Sequence, residues 1–389
     1  MKRDTFIAHA GRHPAEHRGA VNPPVYRAST IVQPSLDALE HARRTPFEGV
    51  RYGRLGTPTT QALEEAVAGL EGGWRSISMP SGLAAITATL LAFVETGDHL
   101  LMTDGVYLPT RRFCDGVLAR LGVETTYYDP TVGAGIAALI RPNTRLVFVE
   151  SPSSMTFEMQ DVPAIAAAAH AAGAVVVMDN TWGTPLFFKP FEHGVDVSLQ
   201  AATKYLVGHS DAMLGLITTT EPHWQRLKIA VTGLGQAPGS EEAWLGLRGL
   251  RTLSVRLERH QRNGLEVATW LEGRPEVARV LHPALPSHPG HQIWRRDFLG
   301  APGLFGVELK PAPKPALAAM LDGLGLFAMG YSWGGFESLV VPGDGSITRT
   351  VGDWRTTGPY LRLHVGLEDP ADLIADLEAG LARLVKGCG

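Results

Sequence analysis

Apolar and polar positions change their spacing several times along this chain, and the changes divide it. Up to about residue 56 no period holds, because Pro, Gly, Arg and His interrupt every apolar run; this reads as an irregular arm that packs on something else. "TPTTQALEEAVAGLEGG" (57–73) then carries apolar residues at helical spacing, with Pro58 suited to a first turn and Gly72 to a stop. Beyond it, short apolar runs alternate with helical stretches. "HLLMT" (99–103), "RLVFVES" (145–151), "AVVVMD" (174–179), "DVSLQAAT" (196–203) and "LGLITTT" (214–220) read as strands, and "VPAIAAAAHAAG" (162–173) as a helix between two of them. The runs are continuously apolar, the pattern of strands buried on both faces. Such alternation predicts an α/β fold: a mostly parallel sheet with helices on both sides.

A long helical pattern over 240–273 follows and reads as a bridge, kinked or straight. After it come four more strand patterns, "VARVLHP" (277–283), "GLFGVELK" (303–310), "ESLVVP" (337–342) and "YLRLHVG" (360–366), and a final helix from Pro370 to about Lys386. These predict a smaller C-terminal α+β domain. The expected division is an arm over 1–56, a large domain over 57–249 and a small domain over 250–389.

Composition narrows the class. A chain of 389 residues is too long for one ordinary core. Hydrophobic content of 44% with 19% charged residues fits a core-rich globular protein and argues against disorder. The formal charge of −4 comes from interspersed acids and bases, so nucleic acid is not an expected partner. Two cysteines, Cys114 and Cys388, build neither a disulfide framework nor a zinc knuckle, and no metal site is expected. The N-terminus has no apolar leader, and the longest apolar stretch (165–178) is too short to span a bilayer. The expectation is a soluble, cytoplasmic protein without a membrane partner.

The candidate chemistry gathers around Lys204, after the run that ends "QAATK". A lone lysine at a strand end is ordinarily a solvated rim residue. Three features argue otherwise here. Asp179 closes "AVVVMD", and a carboxylate ending an apolar strand is costly without a cationic partner. "PSGLAAITATLLAF" (80–93) is a tight turn opening a helix, so Ser81, Gly82 and Leu83 offer free backbone N–H groups to an anion. Thr203 adds a hydroxyl beside the lysine. An amine, a recessed carboxylate and a phosphate cradle together are what pyridoxal phosphate requires, and Tyr107, after a strand, offers a ring to stack on it.

The motifs "VRYGRLGTPT", "ESPSSM", "MDNTW", "QAATKYLVGHSDAMLG", "RGLRTLSVRL", "YSWGGFESL" and "LRLHVGLED" span nearly the whole chain. In that order they resemble the cysteine/methionine-metabolism family of fold-type I pyridoxal-phosphate enzymes, and within it the bacterial β-lyase branch. The resemblance implies that Lys204 is the Schiff-base lysine, Asp179 the partner of the pyridine nitrogen and Tyr107 the stacking ring. Gly82, Leu83 and Thr203 match the phosphate cradle. Tyr52 and Arg54 match residues that reach the cofactor phosphate of a neighbouring subunit, which makes the arm part of another protomer's site. Arg362 matches the arginine that pairs with the substrate α-carboxylate, with Ser332 nearby and Tyr331 and Trp333 on the substrate side. The implied assembly is a homotetramer, a dimer of dimers. Ala201, Ser154 and Trp333 depart from the wider family as its β-lyase branch does; Leu108, where glycine is common, is left unassigned.

The resemblance implies β-elimination from L-cystathionine to homocysteine, pyruvate and ammonia, with Lys204 as general base and Tyr52 and Tyr107 in lesser proton-transfer roles, and with cysteine and cystine as possible further substrates. The rival readings are a γ-acting relative (cystathionine γ-lyase, γ-synthase or methionine γ-lyase), which releases 2-oxobutyrate, and a non-catalytic α/β module. A nicotinamide-dependent oxidoreductase is disfavoured because no G-x-G-x-x-G opens an early βα unit.

Overall fold

A computed structural model describes residues 1–343, 345–352 and 354–388. Seven strands form the larger sheet: β1 (Arg75–Met79), β2 (His99–Thr103), β3 (Glu124–Tyr128), β4 (Thr144–Glu150), β5 (Val175–Asp179), β6 (Val197–Gln200) and β7 (Gly215–Thr219). Their order is β1-β7-β6-β5-β4-β2-β3. The run from β6 to β3 is parallel, and only β7 runs against its neighbours. The mostly parallel sheet expected from the sequence is therefore present, with one reversed strand.

Alternate side chains of the central strands go to opposite cores. Leu100, Met102, Leu146 and Phe148 pack on one face, with the helix Gly82–Phe93. Leu101, Val147 and Val149 pack on the other, with the helix Val162–Ala171. That two-sided burial is why these strands read as unbroken apolar runs; each fully buried Leu or Phe contributes on the order of 2 kcal/mol.

The second sheet contains β8 (Val277–Leu281), β9 (Leu304–Leu309), β10 (Ala328–Met329), β11 (Leu339–Pro342) and β12 (Tyr360–His364), in the order β10-β11-β12-β9-β8. It packs its own core with the helices Leu253–Glu272, Lys314–Leu321 and Pro370–Lys386. The long helical pattern over 240–273 is two helices, Ser240–Leu250 and Leu253–Glu272, interrupted at Arg251 and Thr252. No helix among the described residues is long and apolar enough to cross a membrane.

The strand order positions the site. From β2 the chain moves outward to β3, whereas β4 starts on the other side of β2 and leads to β5 and β6. Between β2 and β4 the direction of winding reverses, and such a switch point opens a crevice at the carboxyl ends of the strands. Asp104, Glu150, Asp179 and the segment 201–204 all lie at those ends.

Candidate active site

Two acids close adjacent strands. Glu150 ends β4 and Asp179 ends β5, and the two are paired in the sheet register. Like charges so placed cannot both ionise at low cost. Asp179 accepts hydrogen bonds from the Thr181 N–H at 3.0 Å and the Thr181 hydroxyl at 2.5 Å. Burial raises its carboxyl above the ordinary value, and the Thr181 bonds and the charge of Lys204 oppose that rise. Among the described residues the Glu150 carboxyl accepts only the Tyr107 N–H, at 2.9 Å, and burial followed by the charge of Asp179 raises it far above the ordinary range. Asp179 is thus the better anion of the two, and Glu150 holds Tyr107 in place by accepting its N–H.

Lys204 lies on the turn after β6. Its Nζ donates to Ser332 Oγ at 2.6 Å and stands 5.3 Å from the centre of the Trp333 ring. Burial, then the cation of Arg362, lowers its amine to about 8, against the pull of Asp179. The turn is gripped from behind by Arg256, which donates to the carbonyls of Tyr205 at 2.7 Å and Leu206 at 3.3 Å. Ser332 has φ of +88°, a left-handed conformation that costs a non-glycine residue about 1–3 kcal/mol. Arg362, on β12, donates to Ser332 O at 3.4 Å and touches Met155 Sδ at 3.5 Å. Among the described residues it has no carboxylate partner, so its fork is available to one from outside.

Across the crevice the helix Gly82–Phe93 begins. Ser81 Oγ accepts the Ala84 N–H at 3.1 Å, and the Gly82 and Leu83 N–H groups have no acceptor within the helix. A Cβ on Gly82 would meet Ala201 Cβ at 2.5 Å, so only glycine lets this helix terminus press on the lysine turn. Thr203 lies beside the terminus, but its hydroxyl donates to Leu214 O at 3.1 Å and accepts the Leu214 N–H at 2.9 Å.

Tyr107 is 44% exposed and precedes the helix Leu108–Phe113. Burial raises its phenol, as do the charges of Asp179 and Glu150, while Arg362 lowers it. It lines a cavity of about 400 Å³ with Arg112, Met155, Tyr331, Arg349 and Arg362. Tyr331 is 91% exposed at the mouth. Tyr52 and Arg54 do not line this cavity; Arg54 donates to Thr232 O at 3.0 Å, on the helix Glu221–Gly233. The structure therefore brings together Lys204, Asp179, Tyr107, Ser332, Trp333 and Arg362, with Gly82 and Leu83 opposite, and leaves Tyr52 and Arg54 elsewhere on the same chain.

Sequence reasoning missed Glu150, although the signal it used for Asp179 was present: "RLVFVE" is also an apolar strand closed by a carboxylate. It missed Asp104 as well. Burial pushes that carboxyl up, but bonds from Val351, Thr350 and Arg111 outweigh burial and leave it below its ordinary value. Asp104 so fastens the segment at 350–351 over the cavity.

The donor set fits pyridoxal phosphate. A helix terminus with free N–H groups, pressed by a glycine onto the lysine turn, a recessed carboxylate and a lysine with a lowered amine suit the phosphate, ring nitrogen and aldehyde in turn.

Comparison with known proteins agrees. The family described as Cys/Met metabolism PLP-dependent enzyme matches residues 4–382. The chain is 47% identical to the protein named cystathionine beta-lyase MetC of Escherichia coli, over 99% of both chains. It is 46% identical to a cystathionine beta-lyase of Salmonella typhimurium, over 98% of both. Among solved structures it is similar to metB from Corynebacterium glutamicum, with a TM-score of 0.91 and 32% identity, covering 99% of this chain and 98% of that one.

Proposed function

The chain belongs to the Cys/Met metabolism PLP-dependent enzymes, and from that premise we propose that it is a carbon–sulfur β-lyase that cleaves L-cystathionine to homocysteine, pyruvate and ammonia. The observation that carries the reading is Lys204: recessed, with an amine at about 8, it lies between Asp179 and an arginine free to take a carboxylate.

Lys204, Asp179, Tyr107, Gly82 and Leu83 would hold pyridoxal phosphate, with Thr203 beside them, its hydroxyl proton given to Leu214 O. When bound, the cofactor supplies an electron sink for the charge left on the substrate when Cα loses its proton. The remaining work falls to side chains. Arg362 grips the α-carboxylate through its fork and so fixes the direction of the Cα–H bond. The Lys204 amine, steadied by Ser332, removes the Cα proton. The electron pair forms the Cα–Cβ double bond as the Cβ–S bond breaks, and the Lys204 ammonium returns a proton to the leaving sulfur. Water then takes ammonia from the three-carbon fragment to give pyruvate. One base over Cα suffices for this sequence, whereas γ-elimination also needs a proton removed at Cβ. The outer cavity, with Arg112 unpaired among the described residues, leaves room for the distal amino-acid end of cystathionine.

The reading extends to the assembly. Tyr52 and Arg54 sit outside the cavity, on an arm without sheet partners beyond the Thr30–Tyr52 bridge, and they complete a neighbour's phosphate site in a homotetramer built as a dimer of dimers. The arm over 1–56, the large domain over 57–249 and the small domain over 250–389 are the units of the proposed protomer. A cytoplasmic setting suits the two free thiols, Cys114 and Cys388. The deciding assay incubates the cofactor-loaded enzyme with L-cystathionine and identifies the keto acid: pyruvate is expected, and 2-oxobutyrate as the main product overturns the reading.

A further inference from the structure

Behind Lys204 lies a group of buried rings that the mechanism does not use. Tyr205, His260 and His364 are each no more than 1% exposed. Their ring centres lie 5.2 Å (Tyr205–His260), 5.8 Å (Tyr205–His364) and 5.2 Å (His260–His364) apart. Buried histidines are costly unless their nitrogens have work to do. His260 has Val365 O 2.9 Å from its Nδ1, while its Nε2 is buried without a partner among the described residues.

His364 reaches the active-site loop. Its Nε2 lies 3.1 Å from the Gly334 N–H and 3.2 Å from Gly335 O. If Nε2 accepts from Gly334, Nδ1 carries the proton; in the other tautomer Nε2 donates to Gly335 O and the buried Gly334 N–H loses its acceptor. Each arrangement leaves one buried N–H without an acceptor among the described residues, Nδ1–H in the first and Gly334 N–H in the second, and each ties the imidazole to this loop. Burial, and then the neighbours His260, Arg362 and Lys204, lower the imidazole well below its ordinary value.

The held loop is the one that carries Ser332. Gly334 has φ of +87°, and a Cβ there would meet Lys204 C and Tyr205 N at 2.8 Å, so the loop rests directly on the lysine turn. Arg362 and His364, two residues apart on β12, therefore grip this loop at two points: Arg362 at Ser332 O and His364 at the Gly334–Gly335 backbone. β12 lies between β9 and β11, which makes it a rigid base.

We propose that His364 is a positioning residue for the Lys204 amine: its imidazole fixes the backbone at Gly334 and Gly335 and thereby sets the left-handed Ser332 whose hydroxyl takes the lysine at 2.6 Å. The inference rests on the reading of Lys204 as the catalytic base.

The test compares His364→Leu, His364→Gln, Ser332→Ala and the Ser332→Ala/His364→Leu double variant as cofactor-loaded enzymes. Glutamine places an amide at the reach of Nε2; leucine offers nothing. Expected for His364→Leu is a kcat lower by about tenfold, the worth of one buried hydrogen bond, with KM for cystathionine within about twofold of wild type. Glutamine should recover most of that loss. The double variant should be no slower than Ser332→Ala alone, because both changes remove the same contact. Hydrogen exchange in the 332–335 segment, followed by mass spectrometry, should speed up in the leucine variant and not in the glutamine variant. That readout stands even if the cleaved substrate is another amino acid. Should leucine prevent folding, asparagine, polar but too short to reach Gly334, replaces it. Wild-type kcat in the leucine or asparagine variant, multiplicative losses in the double variant, or glutamine behaving as leucine would each overturn the proposal.

Discussion

The Lys204 amine gives a prediction with a number. An ordinary lysine titrates near 10.5, and burial with Arg362 brings this one to about 8. At pH 7 about one tenth of Lys204 is then neutral, against about one in 3,000 for an ordinary lysine, a ratio of about 300. The gap corresponds to about 3 kcal/mol in favour of the neutral amine. Only the neutral amine attacks an aldehyde. Enzyme stripped of cofactor should therefore take up pyridoxal phosphate at neutral pH about 300-fold faster than an exposed lysine would, with the rate levelling off above about pH 8. Stopped-flow absorbance from pH 6 to 9.5 measures this, and borohydride trapping with peptide mapping locates the lysine. The two charged neighbours supply a sign test. Arg362→Leu removes a cation and should move the midpoint up; Asp179→Asn removes the anion that steadies the ammonium and should move it down. A wild-type midpoint near 10, or both variants moving the same way, refutes the electrostatic account.

Further tests address other parts of the molecule. Arg362→Lys keeps the charge but loses the fork, and KM for cystathionine should rise about tenfold or more with a smaller change in kcat; an unchanged KM sends the carboxylate elsewhere. Glu71, 1% exposed, has its carboxyl raised by burial from 4.5 to about 7. The folded protein then holds a proton that the unfolded chain has released, so stability is full below about pH 4.5 and falls as pH rises to about 7, by about 3 kcal/mol in all; Glu71→Gln should flatten that slope in urea melts. Inactive Arg54→Ala and Lys204→Ala enzymes, dissociated and reassociated together, should regain activity from mixed dimers with one intact site; mixed dimers without activity exclude an arm that works in trans.

What the sequence could reveal follows from where each strand lies. β2, β4, β5 and β6 are covered on both faces and announce themselves as apolar runs. The two edge strands do not. β3, "ETTYY", is half-exposed along much of its length. β1, "RSISM", places serines at buried positions, where Ser76 meets the Thr218 hydroxyl at 2.7 Å and Ser78 donates to Glu64 at 2.6 Å. Those partners lie 142 and 14 residues away, and no local pattern announces them. The site shows the same division. Lys204 and Asp179 are legible because each is a charge in an apolar setting. Asp104 is not, because what makes it structural is a set of donors from Thr350 and Val351, nearly 250 residues further along.

The cavity has two kinds of wall. Its inner side is made of strand ends and the turns that follow them, tied into the central cores. Its outer side includes residues 345–349, which belong to no helix or strand and are moored by Arg349 to Thr156 and Glu158, with Asp104 holding the residues just beyond. Reactivity and selectivity are thus housed in separable material. For an engineer this marks a cassette: a segment whose length and side chains can be exchanged to admit bulkier or differently charged thioethers, provided the moorings at Asp104 and Glu158 are kept, while the lysine, its acid and its arginine are left as they stand.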